Sequence, residues 1–310
     1  MTTTITQPQT KTPALGVGIH HGIPFDQYLA LPYAGSHDLG KIIEGSPAQF
    51  IYERKNPKEP TAAFKLGTAG HSRVLTPFHF AADYVLAEPC SAILKSGDRA
   101  GLACGAAPKT RIAGSWRCDK HANGSPRDSV GEILSTEDHG NISGAAAAIA
   151  VHPIAGRIVN QTDIADRELT IIFDDPKSGM RCKARIDLLC RRSSLIADLK
   201  FTTEPGGAKP ETFKRSYYNL SYFRQAEFHL RAVAAVGLDI REFNFIACEI
   251  KPTHGISLRR ASRADLDLGA AENDCALAQL AECQLCDKWY GYPISVEESN
   301  PPKWKFPQDE

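Results

Sequence analysis

The segment "RCKARIDLLCRRSSLIADLKFTT", residues 181–203, contains two aspartates and a lysine. These are the residue types of a metal-dependent hydrolytic site. Asp187 lies in a strand-like run, and after a turn at "RRSS" the next run carries Asp198 and Lys200. Carboxylates that share a small volume repel each other unless a cation lies between them. Mg²⁺ prefers carboxylate oxygens and keeps water ligands for phosphate substrates, and a nearby ammonium group stabilises negative charge on a phosphoryl oxygen. The residue types therefore indicate metal-assisted phosphodiester chemistry.

The register of the predicted hairpin determines whether the two acids meet. The four-residue connection sets Cys190 opposite Leu195, and counting back places Asp187 opposite Asp198. Directly opposed residues share one face, with Cβ atoms about 5 Å apart. Since side chains alternate along a strand, the other face is predicted to carry the apolar residues Cys182, Ala184, Ile186 and Leu188. Because the pattern D-x(10)-D-x-K is common by chance, solvated surface acids neutralised by neighbouring arginines remain the alternative.

The helices and strands that would position these residues are predicted from the periodicity of apolar residues and from residues that break helices and strands. Helices are predicted at 36–55 with a break at Ser46–Pro47, and at 61–77, 143–153, 211–236 and 262–286. Strands are predicted at 169–175, 181–190, 195–201 and 243–250. Strands flanked by helices indicate an α/β fold with one mixed central sheet. We expect a disordered polar tail at 1–14 and a single domain over 15–310, with a loop-rich insertion at about 88–131.

Composition and missing motifs narrow the function classes. Lys plus Arg equals Asp plus Glu at 36 each, so any nucleic-acid binding must come from local clusters. No run approaches the ~20 apolar residues of a membrane span, and the polar start is not a secretory signal. The nine cysteines are scattered, which favours free thiols in a reducing cytoplasm. Neither a phosphate-binding G-x-x-x-x-G-K-[ST] loop nor a G-x-S-x-G elbow is present.

Several further motifs occur in a recognisable order along the chain. They are "SHDLGKIIEGSPAQF", "FKLGTAGHSRVLTP", "CKARIDLL…IADLKFTT", "YFRQAEFH" and the tail "WYGY…PPKW". Together they resemble the phage-type exodeoxyribonuclease VIII (RecE-like) family of PD-(D/E)xK nucleases, from about Gly18 to Phe306. The resemblance implies a PD-(D/E)xK restriction-endonuclease-like core with helices on both sides of the sheet.

The resemblance also implies an activity and partners. The expected enzyme is a Mg²⁺-dependent exodeoxyribonuclease, with Mn²⁺ as a substitute, that degrades one strand of linear double-stranded DNA from 5′ to 3′. It would leave single-stranded tails for recombination by annealing, form a ring-shaped homo-oligomer around the duplex, and work with a single-strand annealing protein. The alternatives are a catalytically silent DNA-binding or assembly protein of the same fold, and an iron–sulfur nuclease of different polarity.

Site roles are implied by the same resemblance. The metal ligands would be His71, Asp187, Asp198 and the backbone carbonyl of Leu199. Lys200 resembles the catalytic lysine, and Gln225 resembles the glutamine of a Q-x-x-x-Y helix motif, where this chain carries His229 in place of the tyrosine. Additional candidates are Glu168 and His229, although a strand-start acid such as Glu168 is more often exposed.

The remaining candidate site residues are basic residues, which could contact DNA, and cysteines, which could bind a metal. DNA contacts are expected at Lys183, Arg185 and Arg224. An iron–sulfur cluster would combine Cys275, Cys283 and Cys286 with one upstream cysteine, and Cys104, Cys118 and His121 could belong to a zinc site. Because neither spacing matches a four-ligand motif, the sequence predicts neither metal group.

Overall fold

The computed structural model describes residues 14–122, 128, 131–292, 294–296 and 298–299. The polar tail predicted at 1–14 therefore lies outside the described residues except for Ala14. The strands are β1 (Gly18–His20), β2 (Tyr84–Leu86), β3 (Thr110–Ile112), β4 (Ser115–Arg117), β5 (Glu132–Leu134), β6 (Arg167–Asp174), β7 (Arg181–Cys190), β8 (Leu195–Thr202), β9 (Glu242–Glu249) and β10 (Ile256–Arg260). The helices are α1 (Phe25–Ala30), α2 (Ser36–Glu44), α3 (Pro47–Lys55), α4 (Ala62–Leu75), α5 (Pro77–Asp83), α6 (Asp119–Ala122), α7 (Thr136–Val151), α8 (Ala155–Gln161), α9 (Pro210–Asn219), α10 (Tyr222–Ala235) and α11 (Arg263–Cys286).

A six-stranded mixed sheet forms the centre, in the order β1-β6-β7-β8-β9-β10. Neighbouring strands are antiparallel except β8 and β9, which are parallel and are connected through α9 and α10. A parallel pair requires such a crossover because the chain must return to the same end of the sheet. The predicted mixed α/β sheet is thus confirmed.

Helices cover both faces of this sheet. One face packs on α2, α3, α9, α10 and α11, through residues such as Phe50, Phe228 and Leu277. The other face packs on α4, α7 and α8, through residues such as Val74 and Ile149. Strand β8 is consequently buried from Leu195 to Leu199, as expected for a central strand covered on both sides. A charged residue in such a strand requires a partner or a function.

Side-chain caps define where several helices begin. The hydroxyl of Ser46 accepts a hydrogen bond from the Gln49 N–H at 3.2 Å, and Pro47 occupies the first turn of α3. Proline is tolerated there because its missing N–H would be unpaired in any case. The predicted break at Ser46–Pro47 is therefore confirmed. Ser262 caps α11 through a capping box with Asp265.

Two predicted helices differ from the structure. The single helix expected at 211–236 is divided into α9 and α10, because Ser221 adopts a left-handed backbone conformation with φ of 51°. The helix expected at 143–153 begins earlier, at Thr136, where Ser135 supplies the cap. A short helix, α1, also lies before the first predicted helix.

No single helix in the described ranges is long and apolar enough to cross a membrane. Helices α7 and α8 meet the length and composition test only as a pair, and they are bent by 88° at the break between them.

Candidate active site

The hairpin of β7 and β8 has the predicted register near its turn. Cys190 pairs with Leu195, and the paired residues end at Leu188 and Ala197. Just beyond this point, the N–H of Leu199 donates a hydrogen bond to the Asp187 carboxylate at 2.8 Å. The two strands therefore separate where the acids lie, and the Asp187 side chain occupies the space between them.

The alternation of β7 changes at Asp187. Cys182, Ala184 and Ile186 belong to the core cluster under α10, whereas Leu188 belongs to the cluster under α4. The prediction that all four residues share a face is therefore wrong for Leu188. The neighbouring residue in β6, Glu168, has a positive φ of 52°. Non-glycine residues in this region cost about 1–3 kcal/mol and concentrate at functional sites.

Three potential metal ligands converge at this irregularity. Single ligand atoms of His71, Glu168 and Asp187 all lie within 4.8 Å of one another. The His71 Nδ1 atom lies 3.3 Å from Asp187 Oδ2. Helix α4 presents His71 at close range because the preceding residue is Gly70, where an added Cβ would lie 2.9 Å from the Phe201 ring. A larger residue at position 70 would require the Phe201 ring or the helix to shift.

Burial and mutual repulsion make this cluster electrostatically unfavourable without a cation. The pKa of Asp187 is raised well above its ordinary value, first by burial and then by the charges of Asp198 and Glu168. Burial lowers the pKa of His71, and the carboxylates and a backbone hydrogen bond to Leu199 only partly offset this. A neutral imidazole and carboxylate oxygens are suitable metal ligands. A divalent cation would supply the positive charge that the His71–Glu168–Asp187 group lacks.

A second polar network lies beside the first and includes the other predicted residues. Asp198, only 3% exposed, contacts the Lys200 Nζ atom at 2.6 Å and accepts a hydrogen bond from Gln225 Nε2 at 2.6 Å. Lys200 donates to Gln225 Oε1 at 2.9 Å and lies over the Tyr222 ring. Although burial alone would lower the pKa of Lys200, the Asp198 carboxylate outweighs it and the pKa is raised. Lys200 is accordingly a fixed positive charge.

The structure favours Glu168 over Asp198 as a ligand in the same group as His71 and Asp187. Glu168, ranked as an additional candidate from the sequence, belongs to the group of His71 and Asp187. Asp198, expected to share the metal with Asp187, lies outside that group and is held by Lys200 and Gln225. The backbone of Leu199 connects the two networks, because it follows Asp198 in β8 and its N–H contacts Asp187. The register of β6 and β7, with Arg167 opposite Leu188 and Leu169 opposite Ile186, brings Glu168 to this position.

Gln225 is expected to act by orienting Asp198 and Lys200. Gln225→Leu removes both hydrogen bonds, and we expect a loss of about 10–100-fold in catalytic rate, as is usual for residues that orient metal-site groups. The metal-dependent DNA hydrolysis expected from the sequence, assayed at saturating metal, measures the effect. Gln161→Leu, at an exposed residue at the end of α8, is the matched control. A Gln225→Leu variant with unchanged turnover would contradict this role.

The structure gives internal roles to the predicted DNA-contact residues. Lys183 is buried and donates to the carbonyls of Tyr28, Leu29 and Leu31 at 2.8–3.1 Å, close to the end of α1. Arg224 is also buried and pairs with Glu44 and Glu272.

The expectation of DNA contact is corrected for both Lys183 and Arg224, because their donors are directed into the protein. Arg185 is mostly buried, pairs with Glu168 and donates to the Ile23 carbonyl at 2.9 Å. Its contacts indicate that it orients Glu168.

His229 does not reach the surface. It is buried on α10 and packs against Phe243, with ring centroids 5.8 Å apart. Burial lowers the pKa of His229 to about 4, while Asp198 and Lys200 act in opposite directions. A neutral, enclosed imidazole is a packing residue, so the structure gives the additional candidate His229 no contact with a substrate.

The lowered pKa of His229 predicts a defined acid sensitivity. The unfolded chain binds a proton at this residue below a pKa of about 6.5, whereas the folded chain does so only near 4. Stability should therefore be lost as pH falls from 6.5 to 4, by up to about 3 kcal/mol from this residue. Urea unfolding across that window should show a shallower pH dependence for His229→Gln than for wild type. His79→Gln, at an exposed site, should leave the slope unchanged, and equal slopes for wild type and His229→Gln would refute the assignment.

The comparisons with known proteins do not establish the function of this chain. No family model matches the chain, and no curated protein matches it. The chain is similar to a crystal structure from Eubacterium rectale described as a "Putative exonuclease", with 12% sequence identity and a TM-score of 0.49. The similarity covers 85% of this chain and 91% of that chain. Similarity at this level carries no argument about activity.

Proposed function

We propose that the protein is a metal-dependent nuclease that hydrolyses phosphodiester bonds in DNA. The observation that carries the proposal is the group of His71, Glu168 and Asp187, in which Asp187 is buried and the other two are partly buried, adjacent to the Asp198–Lys200 pair where two central strands separate. Such a concentration of charge in a sheet covered on both faces is costly to stability. Strongly perturbed titratable groups of this kind mark functional sites.

The residues fit a divalent metal by their chemistry. His71, Glu168 and Asp187 offer one nitrogen and carboxylate oxygens, Asp198 is adjacent, and the Leu199 carbonyl is the further candidate ligand. When bound, Mg²⁺ or Mn²⁺ would polarise the scissile phosphate and lower the pKa of a bound water. The set of donors is also consistent with the PD-(D/E)xK arrangement that the sequence motifs resemble.

The roles of the chain's own groups follow from their positions. Lys200 provides a fixed positive charge that stabilises negative charge on the phosphoryl oxygens and orients the attacking water. Gln225 holds Lys200 and Asp198 in place. Lys200 and Tyr222 line a cavity of about 240 Å³ that extends along α9. The lining of this cavity includes none of His71, Glu168 and Asp187.

The finer proposal is a 5′→3′ exonuclease on linear double-stranded DNA. Its support is the ordered set of motifs that resemble the RecE-like family. The same resemblance is the basis for proposing a ring-shaped homo-oligomer and a single-strand annealing partner.

Digestion of labelled DNA tests both levels of the proposal. Linear duplex labelled at the 5′ or 3′ end, nicked circles and closed circles are incubated with Mg²⁺, Mn²⁺ or EDTA. We expect metal-dependent nucleotide release from linear duplex beginning at the 5′ end, and none from closed circles. Asp198→Asn should be inactive, whereas Asp267→Asn, at an exposed acid on α11, should be active.

The outcomes separate the alternatives. Metal-dependent release from the 3′ end, or cleavage of closed circles, would refute only the exonuclease polarity or substrate. DNA binding without release in either metal would identify a catalytically silent DNA-binding protein and refute the nuclease. Equal activity of wild type and Asp198→Asn would remove the proposed site.

A further inference from the structure

A second group of metal-ligand side chains lies in the insertion, outside the candidate active site. Ligand atoms of Cys90, Cys104, Cys118 and His121 all lie within 4.8 Å of one another. The Sγ atoms of Cys104 and Cys118 are 3.9 Å apart, and the His121 Nδ1 atom lies 3.5 Å from Cys90 Sγ and 3.3 Å from Cys118 Sγ. Residues separated by up to 31 positions are thus gathered around one point.

These distances match the edges of a tetrahedral zinc site. Bond lengths of about 2.3 Å to sulfur and 2.0–2.1 Å to nitrogen place tetrahedral ligand atoms about 3.8 Å apart for two sulfurs and about 3.5 Å apart for sulfur and nitrogen. The separation of Cys104 and Cys118 excludes a disulfide, whose sulfurs lie about 2.05 Å apart. An iron–sulfur cluster would spread its cysteines around an inorganic core of several atoms, whereas these four ligand atoms surround a single position.

Backbone hydrogen bonds hold the ligands in place. The N–H of Cys90 donates to the Ala106 carbonyl at 2.9 Å, and the N–H of Cys104 donates to the Ala92 carbonyl at 2.8 Å. These bonds pair two extended segments side by side. The N–H of His121 donates to the Cys118 carbonyl at 3.0 Å, which forms the turn between those two ligands. These backbone hydrogen bonds bring the ligand residues next to one another.

The insertion has little else to stabilise it. None of the three core clusters contains a residue of the described part of 88–131. The large apolar residues Ile93 and Leu102 are exposed, and the fully or nearly fully buried apolar side chains there are Cys90, Cys118 and Ala122. Segments that bury so little apolar surface usually depend on a disulfide or a metal. Two of these three apolar residues, Cys90 and Cys118, are themselves ligands.

We propose that Cys90, Cys104, Cys118 and His121 bind one Zn²⁺ as a structural site that folds the insertion. Four protein ligands complete the tetrahedral shell, so no position is left for substrate or catalytic water. The ion holds the loop closed between β2 and β5, the parallel pair from which the insertion leaves and to which it returns. The spacing C-x(13)-C-x(13)-C-x(2)-H explains why the sequence did not predict it: two of the three intervals are too long for a zinc-ribbon pattern.

Metal analysis of the purified full chain tests the proposal. After purification under reducing conditions and removal of loosely bound ions, elemental analysis should find about one zinc per chain in wild type. Cys104→Ser and Cys118→Ser should each lose most of it, and Cys286→Ser, at an exposed thiol outside the group, should retain it. Asp187→Asn should also retain it, which distinguishes this site from metal bound at the candidate active site.

Two further measurements use wild type, so they test the site even if a cysteine variant folds poorly. Substitution of wild type with Co²⁺ should give the intense visible and charge-transfer absorption of a tetrahedral thiolate complex. Removal of zinc with a strong chelator should open 88–131 to proteolysis while α4 and the central sheet stay protected. The proposal is overturned if reduced wild type binds no zinc on reconstitution, if Cys104→Ser and Cys118→Ser keep stoichiometric zinc, or if the bound metal is iron.

Discussion

Asp187→Asn is expected to reduce nucleotide release at least about 10³-fold while leaving the metal-free protein at least as stable as wild type. The loss of activity follows because Asp187 is the acid at the centre of the His71–Glu168–Asp187 group, and one electrostatic contact at a reaction centre is worth about 10²–10³ in rate even without a metal. The unchanged or raised stability follows because burial and the charges of Asp198 and Glu168 already disfavour the ionised form of Asp187. Asn retains an oxygen that accepts the Leu199 N–H.

Metal-dependent thermal stability separates this prediction from simple misfolding. A cation that binds only the folded state at 100 times its dissociation constant stabilises by about 2.7 kcal/mol. Wild type should therefore show a rise in thermal midpoint with Mg²⁺ or Mn²⁺ that Asp187→Asn lacks. Asp239→Asn, at an exposed acid paired with Arg241, serves as the control and should behave as wild type. An Asp187→Asn protein that is destabilised without metal, or that still responds to it, would contradict the model.

The sequence predicted the parts of this site that depend on local register. A four-residue turn fixes Cys190 opposite Leu195, and counting on from this pairing leads to Asp187 and Asp198, although the paired residues end one position earlier, at Leu188 and Ala197. The alternation of apolar and charged residues in β8 then assigns Lys200 to the face of Asp198. His71 could be nominated only through the motifs that resemble a nuclease family, because a histidine on an alanine- and glycine-rich helix has no local signal of its own.

Other parts depend on contacts that no local pattern encodes. The change of face at Asp187 and the positive φ of Glu168 arise where β6, β7 and β8 meet, so a strict two-residue period misplaces Leu188. The break between α9 and α10 at Ser221 contains no proline or glycine that would predict it. The Cys90 group is assembled by backbone pairing within the insertion, which carries no periodicity.

Helices on both faces of the sheet contribute residues to the two charged networks. His71 comes from α4, which packs on one face of the sheet, and Gln225 comes from α10, which packs on the other. Leu199 lies between them in β8, and its backbone contacts the first network. A substrate phosphate near the separated ends of β7 and β8 could therefore face the proposed metal ligands and the Lys200 amine together.

Lys200→Met is expected to lose activity to a similar extent as Asp187→Asn but, unlike it, to destabilise the metal-free fold. Asp198 is buried and its charge is balanced by the Lys200 Nζ atom at 2.6 Å. Removing one partner of a buried pair leaves an uncompensated charge and costs about 3–5 kcal/mol. Urea unfolding at neutral pH measures this cost, and Lys214→Met, at an exposed residue, should show none.

The double variant Lys200→Met with Asp198→Asn completes the test. Since it removes both charges, it should recover much of the stability lost in Lys200→Met, because the cost comes from the unpaired carboxylate and not from the missing amine. It should remain inactive, because both charges are required for the reaction. Recovery of stability without activity would show that the Asp198–Lys200 pair serves the reaction and is unfavourable for folding. A Lys200→Met protein as stable as wild type, or a double variant that is no more stable than Lys200→Met, would show that the pair is not electrostatically coupled as the structure indicates.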